Sequence, residues 1–161
     1  MAALMNGTAT FNAGEQSNSL LCESNGYAAT SLTGGGTWQV RVSRENREQF
    51  TLSYEGDESK TLTLSTEDSG NPNEVPIVTK PMQNPPHPTQ LWTMEECIGP
   101  MIFPPMMQGR LQSCARPDLS AAVGGSAPLQ RTHMGISGVP NEQARENRDA
   151  GLWHVRYREV S

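Results

Sequence analysis

Charge, cysteine and long apolar runs are all scarce in this chain of 161 residues. Charged side chains are 18% of the total and the formal net charge is −5. A general binder of the phosphate backbone carries a basic face, so direct nucleic-acid binding is not expected. No stretch approaches the ~18 consecutive apolar residues that a membrane-spanning helix needs. Residues 1–20 have no basic segment followed by an apolar one, so no signal peptide is expected, and the virion or the cytoplasm is the expected location. The three cysteines, Cys22, Cys97 and Cys114, are an odd number without Cys-x-x-Cys spacing, which suits free thiols better than a disulfide framework.

Signatures of chemistry are missing as well. His87 lies among prolines, His133 in a loop and His154 on a polar strand face, and none belongs to a zinc-binding pattern. The stretches Gly-Ile-Ser-Gly-Val and Gly-Gly-Ser-Ala-Pro lack the strand-to-helix turn of a nucleophile elbow. Gly34-Gly35-Gly36 is not followed by the Gly-Lys-Ser/Thr of a phosphate loop. The acidic run around Glu67, Asp68 and Glu74 has no calcium-loop spacing. Catalytic residues, metal ligands and cofactors are therefore all expected to be none.

What the sequence does contain divides near residue 72. All twelve prolines lie beyond residue 71. The first part carries four basic against nine acidic residues, whereas the second carries eight of each.

The first part alternates as half-buried strands do. Trp38, Val40 and Val42 alternate with Gln39, Arg41 and Ser43; Phe50, Leu52 and Tyr54 do the same, and Leu62 and Leu64 follow after a polar turn. Earlier, residues 8–22 read as strand, turn and strand, and residues 26–32 as a further strand. The pattern predicts a small antiparallel β-sandwich or barrel over 1–71. Its expected core is Phe11, Leu20, Tyr27, Leu32, Trp38, Val40, Val42, Phe50, Leu52, Tyr54, Leu62 and Leu64. Twelve such side chains are few for a unit of this size, so further apolar cover must come from elsewhere in the chain or from another chain.

Residues 72–151 read as a proline- and methionine-rich extended arm with short helices at 89–97, 105–115 and 140–151. Residues 97–107 carry no charge, and prolines at 100, 104 and 105 keep them from forming a helix. Ile98, Met101, Ile102, Phe103, Met106 and Met107 are then an apolar ribbon that needs a surface to lie on.

Residues 152–161 return to alternation, with Trp153, Val155 and Tyr157 on one face and His154, Arg156 and Arg158 on the other. This strand repeats the Gly-x-Trp-x-Val-Arg pattern of residues 36–41, although nothing else in the two regions repeats, so no duplicated domain is expected. The terminal strand is expected to rejoin a sheet of its own chain or of a neighbour. Ribbon and strand together form the expected partner-binding surface.

These features point to a non-enzymatic structural protein of a large multi-subunit particle, such as a viral capsid, decoration or tail component, whose partners are other subunits. The alternative is a carbohydrate-binding β-sandwich using Trp92 or Tyr27. Arg41, Arg156 and Arg158 face outward and suit acidic partners.

Overall fold

Alternation in the N-terminal third becomes strands where expected. The structure is a computed structural model describing residues 6–14, 18–65, 72–98, 106–124 and 133–159. It contains twelve antiparallel strands in one connected sheet: β1 (Gly7–Ala13), β2 (Asn18–Cys22), β3 (Ala28–Ser31), β4 (Trp38–Val42), β5 (Phe50–Tyr54), β6 (Thr61–Leu64), β7 (Val75–Lys80), β8 (Trp92–Ile98), β9 (Met106–Ser113), β10 (Leu119–Val123), β11 (Met134–Pro140) and β12 (Trp153–Glu159). Two short helices, α1 (Asn141–Glu146) and α2 (Arg148–Gly151), lie where proline followed by glycine predicts a helix. No helix among the described residues is long and apolar enough to cross a membrane.

The pairings repeat three times. Within each unit of four strands the first pairs with the second and the fourth, and the second pairs with the third. The fourth strand of each unit pairs with the first of the next, so β1, β4, β5, β8, β9 and β12 close into a ring. The three third strands meet one another in matching register: Gly135 opposite Ala29, Pro76 opposite Ser137, and Tyr27 opposite Val78.

Tryptophan marks each unit at the start of its fourth strand. The indoles of Trp38, Trp92 and Trp153 are fully buried and donate to the carbonyls of Leu20, Leu62 and Ala121, at 3.2, 3.1 and 2.9 Å. Those three carbonyls occupy matching places on the second strands. The repeated Gly-x-Trp-x-Val-Arg stretch is therefore two copies of a threefold feature. Its glycines have a common cause: a Cβ on Gly36 would lie 2.6 Å from the Tyr54 ring, and one on Gly151 2.5 Å from the Ala144 carbonyl oxygen. In the second unit the buried Gln90 stands at that place, and its amide donates to Pro81 O and Thr63 Oγ1.

Two layers of the ring follow from register. One holds Trp38 opposite Tyr54, Trp92 opposite Ser113, and Trp153 opposite Ala13. The next holds Val40 opposite Leu52, Met94 opposite Leu111, and Val155 opposite Phe11. Burying such side chains stabilises the fold by roughly 1.5–3 kcal/mol each. Eight of the twelve expected core residues are buried; Val42 and Tyr54 pack against the core, Tyr27 is half-buried, and Leu32 is 67% exposed.

The extended arm is not borne out. Six strands, β7 to β12, lie beyond residue 72, and the stretches expected as helices at 89–97 and 105–115 are largely strands β8 and β9. Proline is accommodated in β7 because Pro76 offers only its carbonyl, which accepts from Ser65 N at 2.8 Å. The glycine-rich stretch around residue 124 also hides the β10–β11 hairpin. The apolar cover missing from the N-terminal strands comes from the later strands of the same chain.

Candidate functional site

Because side chains alternate across a strand, burying Trp153 and Val155 turns His154, Arg156 and Arg158 outward. The same alternation on β1 and β4 turns Thr8, Thr10, Asn12, Gln39 and Arg41 to that outer face. The three strands are adjacent. Thr8 lies between Arg158 on one side and Gln39 on the other, Thr10 lies beside Arg156, and Asn12 beside His154. Residues two apart on one face are about 6.7 Å apart, which sets the spacing between Arg156 and Arg158.

Both arginines are exposed, and among the described residues neither makes an ion pair. Arg41, 54% exposed, reaches Glu58 Oε1 at 3.5 Å, a surface contact that contributes little. The face thus presents three guanidinium groups interleaved with hydroxyls and amides, on a chain whose net charge is −5. His154 adds a polar atom: its Nε2 is buried without a hydrogen-bond partner among the described residues. Guanidinium forks pair carboxylates in a bidentate way, and two such groups exposed on one sheet face suit an anionic partner.

The expected partner-binding residues are placed differently. Met107, Trp153 and Val155 are fully buried in the chain's own core, and Tyr157 packs against it half-buried. Ile98 and Met106 lie in β8 and β9 by their backbones. Met101, Ile102 and Phe103 lie outside the described residues. Trp92, expected as an exposed sugar platform, is also fully buried, its indole committed to Leu62.

Other polar groups gather where units meet. Glu23, just after β2, has a side chain only 2% exposed, and its Oε1 lies 2.5 Å from Nδ1 of His133, just before β11. Among the described residues no nucleophile hydrogen-bonds to that histidine, so the pair joins two units without forming a triad. A cleft of about 90 Å³ opens beside α1, with Glu74, Gln143 and Asn147 at its rim and Ala122, Val139 and Ala144 in its floor. No group of three metal-ligating side chains occurs among the described residues. Cys22 and Cys114 are free thiols. Burial, with a smaller contribution from Glu95, pushes the Cys114 thiol up to about 11.

Sequence reading identified the outward arginines one at a time. It did not show that Arg41 and Arg158 flank one strand, because that adjacency needs β1 between them. The cleft had no sequence signal beyond a glycine where the other units carry a side chain.

No known protein family matches the sequence, and no curated protein does. Solved structures do share the fold. A Caenorhabditis elegans protein of unknown function superposes with a TM-score of 0.66 at 10% identity, over 96% of this chain and 94% of the other. An SDF2-like protein from Arabidopsis thaliana gives 0.64 at 12% identity, over 99% and 98%. Lysenin in complex with phosphocholine gives 0.60 at 8% identity, with 99% of this chain matching 47% of lysenin. At these identities the likeness is one of fold, and the chain is a twelve-stranded, threefold β protein similar to these structures.

Proposed function

We propose that this chain is a non-catalytic recognition module that serves in a larger protein assembly by docking an acidic, extended segment of a partner protein on the β12–β1–β4 face. The observation that carries the reading is the arginine pair, Arg156 and Arg158, without an ion-pair partner among the described residues and set on one outer face with Arg41. Exposed charges of this kind steer encounter and select partners more than they add raw affinity. A virion component is one setting for such a module, but its expected arm has become strands, and the comparisons do not favour a capsid. The sugar-binding alternative has lost Trp92 to the core and retains only the half-buried Tyr27.

The test is fluorescence anisotropy with a labelled ten-residue Glu/Asp peptide, a matched Lys peptide and a single-stranded oligonucleotide. The acidic peptide should bind, weaken as salt rises, and lose about tenfold or more in affinity with Arg156→Glu plus Arg158→Glu. Preference for the oligonucleotide, or binding indifferent to the double substitution, would overturn the reading.

A further inference from the structure

We infer that Asn25, in the turn between β2 and β3, is a site of spontaneous conversion to isoaspartate, and that this conversion loosens the joint between the first and second units. The chain has two Asn-Gly pairs, Asn6-Gly7 and Asn25-Gly26. A glycine after asparagine leaves its backbone nitrogen unshielded by a side chain, so that nitrogen can reach the asparagine's own side-chain carbon. What separates the two pairs is the backbone that holds them.

Asn25 is exposed, in a loop with one turn bond. Gly26 N donates to Glu23 O at 2.9 Å, and Glu23 N donates to Tyr27 O at 2.9 Å. With Gly26 at a φ of +89°, this is the pattern of a tight turn that ends in a glycine bulge. The left-handed backbone, not lack of space, calls for glycine there, since a Cβ would come no nearer than 3.8 Å to its surroundings. Tyr27 N donates to Asn25 Oδ1 at 3.1 Å, so the oxygen that gathers charge during attack already faces a donor.

Asn6-Gly7 is held differently. Gly7 is buried in β1, with Glu159 of β12 on one side and Val40 of β4 on the other. Asn6 Oδ1 accepts from Val42 N at 2.7 Å, across to the end of β4. Reaching a reactive geometry there means leaving two strand ladders, whereas at Asn25 the opening of one exposed turn is enough.

The chemistry needs only water. The Gly26 nitrogen gives up its proton to solvent and attacks Asn25 Cγ. A bond from nitrogen to Cγ closes a five-membered imide, the Cγ–Nδ2 bond breaks, and ammonia leaves. Water then opens the ring. Cleavage at Cγ gives aspartate, and cleavage at the backbone carbonyl gives isoaspartate, whose main chain runs on through Cβ and Cγ. Nothing is oxidised or reduced. A hydrogen bond on Nδ2 does not alter the outcome, because that nitrogen departs as ammonia.

Isoaspartate lengthens the main chain by one methylene beside Gly26. The Gly26 carbonyl accepts from Thr79 N at 2.6 Å and from Thr79 Oγ1 at 3.0 Å, and Tyr27 pairs with Val78, so this turn fastens the first unit to β7. Cys22 Sγ lies 3.3 Å from the same Thr79 hydroxyl. A longer chain carries Gly26 off Thr79 and uncovers the Cys22 thiol.

The test is to hold the full chain at pH 8 and 37 °C, folded and in urea, and to map peptides by mass spectrometry with electron-transfer fragmentation. The folded chain should gain one dalton at Asn25, mostly as isoaspartate, about tenfold or more faster than at Asn6, which is a barrier difference of about 1.4 kcal/mol. In urea the two rates should agree within about threefold. Asn25→Gln should remove the gain at that position, because the longer side chain must close a six-membered ring. Iodoacetamide should label Cys22 about threefold or more faster in converted than in unconverted chains. If Asn6 converts as fast as Asn25 in the folded chain, or if Asn25 converts only in urea, the site is refuted. Equal labelling of Cys22 in the two forms would refute the loosening of the joint.

Discussion

Replacing each tryptophan in turn by phenylalanine probes whether the threefold relation is energetic as well as geometric. Phenylalanine keeps an aromatic ring in place but removes the indole N–H. The carbonyl of Leu20, Leu62 or Ala121 then loses its buried donor, which costs about 1–3 kcal/mol. The smaller ring adds a partial cavity, for a total of roughly 2–4 kcal/mol. Against a typical stability of about 5–15 kcal/mol this is a large fraction. With a mid-range urea slope of about 2 kcal/mol per M, each midpoint should fall by about 1–2 M. Far-UV circular dichroism is the suitable readout, since fluorescence would change with tryptophan count. Because the three sites make the same bond at zero exposure, Trp38→Phe, Trp92→Phe and Trp153→Phe should agree within about 1 kcal/mol. If one costs less than about 0.5 kcal/mol while another costs several, the shared bond does not stabilise all three units.

Other consequences concern the glycines, a thiol and the arginine face. Gly151→Ala should destabilise by about 1–3 kcal/mol, and Gly36→Ala by less, because a Cβ meets backbone at the former and a movable Tyr54 ring at the latter; urea midpoints will rank them. With its pKa raised to about 11, Cys114 holds its proton at pH 8.5, so peptide mapping after iodoacetamide should show much slower labelling in the folded chain than in urea; equal rates would contradict its burial. The direction of that shift also means the folded state favours the neutral thiol, so its contribution is complete below the unfolded thiol's pKa and is lost as pH rises towards 11. Arg156→Glu with Arg158→Glu should leave thermal stability within about 0.5 kcal/mol of the parent, since both side chains are exposed and unpaired.

Strands β4, β5 and β6 were legible because large apolar and smaller polar residues alternate along them. In β9 the inward residues are Met107, Gly109, Leu111 and Ser113, and two small residues conceal the period. Gly109 is small for a reason that only pairing reveals: it lies opposite Trp153. The Met107–Leu111 spacing therefore imitates a helical face. In β8 the Thr93-x-x-Glu96 pattern imitates a helix start, yet Thr93 and its neighbours sit in register with β9. Proline misled for a different reason, since a strand loses only a donor there and the carbonyl still pairs. The threefold repeat escaped because register conserves backbone position and not residue type: Leu20, Leu62 and Ala121 serve one role. At the candidate face the arginines were legible by alternation, but their assembly across β1 depends on a pairing between the ends of the described chain.

That pairing places a constraint on biosynthesis. Strand β1 finds β12 as a partner, with Gly7 opposite Glu159, so the ring cannot shut until residues 153–159 have left the ribosome. Until then β1 waits with one flank lacking its eventual neighbour, open to pairing with other nascent chains. Slow translation of the stretch between β11 and β12 should accordingly increase aggregation more than an equal delay between β6 and β7.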